Sequence, residues 1–439
     1  MVPSDKSSTG GTSRYCVVGG GAAGIGIAKC LKAKGIPFDL FEAEEDFGGN
    51  WYFGRPCSRV YQTTHLISSK RNTQFSDFPM PDDYPAYPDH RQMLNYLRNM
   101  ARHFGLYEHA RLRTRVESIV PSGPDWLVTV SGEGTRRYQG VFVANGRLGR
   151  PHIPRYPGSF SGESLHSADY KSANIFAGKR VLIIGGGNSG CDVAVDAATN
   201  AARTYHSMRR GYHFMPKFIQ GLPTQEWLMD NSRNFESPAL FWTHVQQVFK
   251  LAGYDPVDFG LPTPDHEIDQ AHPIMNSRVL YHIGHGDIVP KPDVERFDGS
   301  YVWFADGTGA EIDLVVLATG YRIYVPFISD SYLQWQGDWL DLFCYIFHRR
   351  YDNLFFLGYH NAPSGLGNVA NAVGHCLVAY LDAFERKTRA FKIFQKMKQG
   401  PAPDLGHERF IKTDRHSYEV DLWKLISALN FLKNKFEAA

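Results

Sequence analysis

Two short glycine-rich segments, Gly19-Gly20-Gly21-Ala22-Ala23-Gly24 and Gly185-Gly186-Gly187-Asn188-Ser189-Gly190, each come after an apolar run and open a stretch of helical pattern. Glycine at this spacing permits a tight strand-to-helix turn and lets backbone N–H groups approach an anion at the helix N-terminus. The chemistry implied is the cradling of a pyrophosphate. One copy is a weak sign, since such a turn can be glycine-rich for packing alone. Two copies in the same context point to two dinucleotides bound at once.

The two turns lead to strands with different ends. After the first turn, the run Phe38-Asp39-Leu40-Phe41 ends on Glu42, at the spacing where a carboxylate accepts hydrogen bonds from an adenosine ribose and repels a 2′-phosphate. After the second, Thr204-Tyr205-His206-Ser207-Met208 ends on Arg209-Arg210, where a guanidinium can grip a 2′-phosphate. The first site suits FAD or NAD, and the second suits NADP.

The elements that must position these residues read as two units. A strand over Tyr15 to Val18, a helix over about Ala22 to Lys34 stopped by Gly35, and the strand ending at Glu42 make one βαβ unit. Residues 48–90 are rich in Gly, Pro, Asp and aromatics and read as a long ordered loop lining a site. Helical pattern resumes at about His90 to Phe104, and strand candidates at Val116 to Ile119, Trp126 to Val130 and Val141 to Ala144 return toward the first sheet. Pro151 to Pro157 is a linker, and the second unit starts at Val181-Leu182-Ile183-Ile184. The fold expected is α/β, with two Rossmann-like dinucleotide-binding domains, the NADP domain inserted into the FAD domain. The expected divisions are a loose polar leader over 1–13, a FAD domain over 14–155 and 312–439, and an NADP domain over 156–311. Residues 212–285 within the latter show little pattern beyond a helix at Pro238 to Leu251.

Composition limits the function classes. The 439 residues are 43% hydrophobic and 14% aromatic, which suits large cores. With 47 basic against 45 acidic residues the net charge is +2, so no bulk field points to nucleic acid or an anionic membrane. The six cysteines, at 16, 30, 57, 191, 344 and 376, form no C-x-x-C pair, which argues against a flavin disulfide reductase. No signal peptide, membrane anchor or membrane-length apolar run is read, the segment Trp423 to Phe436 included, so a cytoplasmic protein is expected. His266, His272, His282 and His285 lack a carboxylate or thiol at ligand spacing, so no metal site is expected. No catalytic residue is assigned, and a homo-oligomer is left open.

Taken together the residues resemble the flavin-containing monooxygenases, the class B flavoprotein monooxygenases related to Baeyer–Villiger enzymes, over most of the chain. Gly48-Gly49-Asn50-Trp51 is similar to the family's segment against the flavin. Phe160-x-Gly162-x-x-x-His166-x-x-x-Tyr170-Lys171 resembles its identifying motif, and the Tyr170-Lys171 ending favours the flavin-containing branch. Gly187-Asn188-Ser189-Gly190, Met208-Arg209-Arg210-Gly211 and Ala318-Thr319-Gly320-Tyr321 look like further signatures. Asn361 falls where the family often places an amide beside the flavin, and His166 is read as structural. One departure is Ile67, before Ser68-Ser69-Lys70, where many members have an asparagine; uncoupled release of peroxide is the consequence expected.

The resemblance implies an N,N-dimethylaniline monooxygenase-like enzyme. NADPH would reduce FAD, oxygen would add to form a C4a-hydroperoxyflavin, and a soft N- or S-nucleophile would take one oxygen atom. The cofactor carries the hard chemistry, and the protein supplies orientation and water exclusion. The residues expected on FAD are Gly19, Gly20, Gly21, Ala23, Gly24, Glu42, Gly49, Asn50, Trp51 and Asn361. Those expected on NADPH are Gly185, Gly187, Asn188, Ser189, Gly190, Arg209 and Arg210. The partners expected are molecular oxygen and a small molecule, an amine, thioether or carbonyl compound. Rival readings are Baeyer–Villiger oxygenation of a ketone or aldehyde, an uncoupled NADPH oxidase producing hydrogen peroxide, and an FAD-binding redox sensor.

Overall fold

The computed structural model describes residues 14–438 apart from 363–364, 414–415 and 417. The leader expected over 1–13 lies outside the described residues. The strand Tyr15–Val18 is a run of four buried residues with no polar face, the pattern of a parallel strand covered on both sides. It pairs parallel with Phe38–Phe41 on one side and Gly140–Val143 on the other. These three strands centre a seven-stranded sheet, whose edges are Ala110–Arg111 at one end and Leu342–Phe343 at the other.

Alternate residues of the central strand face opposite layers, as the period of two requires. Tyr15 and Val17 pack with Ile25, Leu31, Met93, Leu97, Phe142 and Phe355 beneath helices Ala22–Ala33, His90–His103 and Leu366–Glu385. Cys16 and Val18 pack with Trp126, Val128, Val141 and Phe356 under the antiparallel meander Val116–Ser122, Asp125–Val130, Gly134–Tyr138. A helix over Leu422–Glu437, not anticipated as regular structure, seals the first layer with Leu425, Leu429, Leu432 and Phe436. Their spacing of four, three and four residues is one face of a helix.

The second sheet is all parallel and five-stranded, in the order Glu163–His166, Leu314–Leu317, Arg180–Ile184, Arg203–Ser207, Ile288–Lys291. Its strands fall between the two stretches of chain that build the first sheet. Leu314–Leu317 corrects the boundary expected at 312. That strand hydrogen-bonds both Arg180–Ile184 and Glu163–His166, so it belongs to the second sheet and the chain crosses back only after it. The two crossings run side by side, Arg150–Pro151 pairing antiparallel with Tyr321–Arg322. His166 braces this join: its Nδ1 accepts from the Ala168 N–H at 3.1 Å and its ring meets Tyr321 edge-on.

Residues 212–285 hold more helix than their pattern suggested, with Thr224–Ser232 and Arg278–Gly284 beside Pro238–Leu251. They enclose an apolar cluster of Met215, Trp227, Phe241, Val245, Phe249, Ile268 and Met275. Among the described residues, no helix is long and apolar enough to cross a membrane.

Candidate functional site

Both glycine turns sit at the carboxyl edge of their sheets beside the point where strand order reverses, the place where open α/β sheets hold ligands. In each, the last glycine of the fingerprint has no room for a side chain. A Cβ on Gly24 would lie 1.8 Å from the Gly19 carbonyl oxygen, and one on Gly190 would lie 1.8 Å from that of Gly185. The helices Ala22–Ala33 and Asn188–Ala198 start at Gly21 and Gly187 with no side-chain cap. Their first-turn N–H groups therefore point outward with no side-chain cap among the described residues, and the positive end of the helix dipole lies behind them.

The turns open on a single cleft of about 750 Å³, lined by Ala22, Ala23, Asn50 and Trp51 from the first unit and by Gly185, Gly187, Asn188, Ser189 and Arg209 from the second. The segment Gly49–Trp51 lies across the first turn: a Cβ on Gly49 would come 2.8 Å from the Gly21 Cα. Asn50 staples this segment, its Oδ1 accepting from the Arg59 N–H at 2.8 Å and its carbonyl from the Ser58 hydroxyl at 2.8 Å. Helix Leu366–Glu385 also starts uncapped, with Leu366 and Val369 on the cleft wall, so a third positive helix end favours negative charge there.

Glu42 ends its strand as expected, nearly buried, with Oε2 accepting from the Gly20 N–H at 2.6 Å and Oε1 from the Glu44 N–H at 2.8 Å. Burial raises its carboxyl above the ordinary range, against these two bonds. A carboxylate offers about four lone-pair sites, more than these backbone donors use. Flavin and nicotinamide dinucleotides thus fit the residues present: a blocked Cβ position in each turn, uncapped amides ahead of each helix, and an acid at one strand end.

Three expected residues are placed differently. Asn188 lines the cleft, but its amide is engaged with the protein. Its Nδ2 donates to the Pro273 carbonyl at 3.1 Å and its Oδ1 accepts from the Met275 N–H at 2.8 Å. Arg210 donates to the Asp265 carboxylate, whereas Arg209 is exposed on the cleft wall. Asn361 does not offer a free amide to a flavin, because Oδ1 accepts from Arg147 at 2.5 Å and Nδ2 donates to Glu419 Oε1.

Several cleft residues escape a reading of the sequence. Tyr61 donates to Asp192 at 2.9 Å and Asn276 to the same carboxylate at 2.6 Å, tying the 48–90 loop to the second unit. Arg147, His272, Tyr418 and Glu419 converge on Asn361. Arg147 alone carries a signal, since it comes just after the carboxyl end of the strand Gly140–Val143. Ile67 lines the cleft and packs against the apolar cluster of residues 212–285. The four histidines of that region go separate ways: His266 to Asp265, His282 to Asp287, His285 onto Tyr281, and His272 to the Asn361 group.

The sequence matches the flavin-binding monooxygenase-like family over residues 12–358. It is 32% identical over 364 residues to dimethylaniline monooxygenase [N-oxide-forming] 2 of Pan troglodytes, covering 77% of this chain and 67% of that protein. The chain therefore spans about two thirds of the length of that relative. Among solved structures it resembles a flavin-containing monooxygenase from Stenotrophomonas maltophilia, with TM-score 0.65, 22% identity, 84% of this chain and 100% of that one. An open crystal structure of cyclohexanone monooxygenase matches with TM-score 0.71 and 16% identity, over 97% of this chain and 99% of that one. At these identities the two structures speak to fold alone.

Proposed function

Since the chain belongs to the flavin-binding monooxygenase-like family and is a flavin-dependent monooxygenase, we propose that it uses FAD, NADPH and dioxygen to place one oxygen atom on a soft nitrogen or sulfur of a small molecule. The observation that carries this reading is the shared cleft, onto which both fingerprint turns open and at whose second end Arg209 stands exposed. A flavin held beside Ala22, Ala23, Asn50 and Trp51 would supply the redox chemistry, coupling NADPH oxidation to the transfer of one atom of dioxygen to substrate and the release of the other as water.

The protein's own part is to bind, orient and exclude. The uncapped turns at Gly21 and Gly187 hold the two pyrophosphates, Glu42 takes the flavin-side ribose, and Arg209 takes the 2′-phosphate. Leu66, Ile67, Val369 and Val373 give one flank of the cleft an apolar wall, which limits water near the reacting atoms. The uncapped start of helix Leu366–Glu385 favours negative charge developing on the group beside it. The N-oxide-forming name of the Pan troglodytes relative supports a nitrogen nucleophile as the first substrate to try. The absence of any C-x-x-C pair among the six cysteines supports a reducing compartment, the cytoplasm.

Anaerobic addition of NADPH to the purified yellow protein tests the assignment. Bleaching of the flavin, then recovery on admitting air with an amine or thioether and formation of an N-oxide or sulfoxide, is the expected result. A protein that stays yellow is a sensor instead. An ester formed from a ketone, with no N- or S-oxide, identifies a Baeyer–Villiger enzyme.

A further inference from the structure

Four arginines stand on the cleft wall, Arg59, Arg147, Arg209 and Arg322. Arg59 is committed to backbone carbonyls, its Nε donating to Leu148 at 3.0 Å and a terminal nitrogen to Pro56 at 2.8 Å. Arg322 lies 3.2 Å from the Asp338 carboxylate. Arg209 belongs to the nucleotide side. Arg147 differs from all three: one terminal nitrogen donates to Asn361 Oδ1, the guanidinium sits 5.1 Å from the Tyr418 ring centroid, and among the described residues no carboxylate is within ion-pair distance. Its remaining N–H fork has a fixed orientation and, among the described residues, no protein acceptor.

The fixing comes from the C-terminal segment. Asn361 is clamped to it by backbone bonds in both directions, its N–H to the Tyr418 carbonyl at 2.7 Å and its carbonyl from the Val420 N–H at 2.9 Å. Its amide lies between a cation and an anion, and only one orientation satisfies both, with oxygen toward Arg147 and nitrogen toward Glu419. Glu419 is only 1% exposed. Burial alone raises its carboxyl, but His272, Asn361 and Arg147 together outweigh that and hold it below its usual value, so it stays an acceptor. One charge of each sign is thus held on the wall, kept apart by an amide instead of meeting as an ion pair.

We propose that Arg147 anchors a carboxylate carried by the substrate, at the far end from the nitrogen or sulfur that is oxygenated, and that Glu419 positions it through Asn361. The inference rests on the monooxygenase reading and adds a substrate class to it. A planar guanidinium with a free fork matches a carboxylate bidentately. The buried negative charge of Glu419 nearby opposes a doubly charged phosphate, which favours a monoanion.

The test uses a matched pair of thioethers, 3-(methylthio)propionate and its primary amide, titrated into the oxidised holoenzyme with the flavin absorbance as readout of binding. Turnover is measured in parallel as NADPH oxidation corrected for peroxide. The carboxylate is expected to bind about 10- to 100-fold more tightly than the amide in the native protein. That ratio should fall to within about threefold in Arg147→Gln and be partly kept in Arg147→Lys. Glu419→Gln should raise KM for the carboxylate with little change in kcat, which a general loss of structure would not do. Equal binding of the two compounds by the native protein overturns the inference, as does loss of FAD or NADPH affinity in Arg147→Gln, which would place the guanidinium on a cofactor phosphate. Tighter carboxylate binding with no oxygenation of either compound would leave the anchor standing and sink the monooxygenase reading.

Discussion

Arg210 donates through one terminal nitrogen to both oxygens of Asp265, at 2.6 and 2.7 Å. The hydrogen bond from Arg210, with that from His266, holds the Asp265 carboxyl down to about 2. Its sequence neighbour Arg209 is exposed on the cleft wall. Two arginines equivalent in sequence therefore differ in what they can do for a ligand. Arg209→Ala should weaken NADPH use by about 10- to 100-fold while NADH use hardly changes, the loss of one charge-assisted contact. Arg210→Ala should alter NADPH use by no more than about threefold, since its partner is an exposed carboxylate of the protein. Steady-state KM values for both nucleotides decide it, and a larger effect at Arg210 would reverse the assignment.

On the proposed reading, the first glycine turn holds FAD and the second NADPH. Gly190→Val drives a side chain into the Gly185 carbonyl and should abolish bleaching by NADPH while the purified protein keeps its flavin colour. Gly24→Val does the same at Gly19 and should yield colourless protein. Absorbance near the flavin maximum, with circular dichroism to confirm folding, reads both. A colourless but folded Gly190→Val would exchange the two sites.

How far the sequence discloses this arrangement depends on the distance over which each feature is encoded. The glycine turns, Glu42 and Arg209 are legible because backbone geometry over a few residues dictates them. The Arg147, Asn361 and Glu419 chain is not, since its bonds join residues 214 and 58 positions apart, and nothing around Glu419 marks it as buried. Leu314–Leu317 shows the same limit at the level of domains. An apolar strand carries no label for its sheet, so only its hydrogen-bonded partners place the boundary. The helix Leu422–Glu437 goes unread as regular structure, and its 4-3-4 apolar spacing does not say which layer of the fold the face will cover.

Ile67 illustrates how a departure from a family pattern changes meaning in three dimensions. Its side chain belongs to an apolar wall shared with the Met215, Trp227 and Phe241 cluster. Ile67→Asn would place an amide against that cluster, at a cost of about 1–3 kcal/mol. A lower melting temperature by differential scanning calorimetry is expected, together with no fall in peroxide released per NADPH. An unchanged melting temperature with tighter coupling would restore the asparagine's role as the family pattern has it.

Acid should loosen the fold before it titrates the carboxylates. Burial lowers His206 and His348 to about 4 from an ordinary 6.5, and His206 shares a hydrogen bond with the Gly185 carbonyl under the second turn. Between those two pH values the unfolded chain binds protons that the folded chain does not, so stability rises with pH across that window. Each group accounts for at most about 3 kcal/mol, fully lost only at or below pH 4. Urea midpoints at pH 7, 5.5 and 4.5 should fall in that order, and a flat series would contradict the burial of these rings.

On the proposed function, electrons from NADPH deliver one atom of dioxygen to a soft nucleophile. Turnover of NADPH under ¹⁸O₂ with an amine or thioether, and mass spectrometry of the product, measure this directly. One labelled oxygen in the N-oxide or sulfoxide is expected for each product molecule formed. NADPH consumption that yields only labelled peroxide, or an oxygenated product carrying oxygen from water, would contradict it.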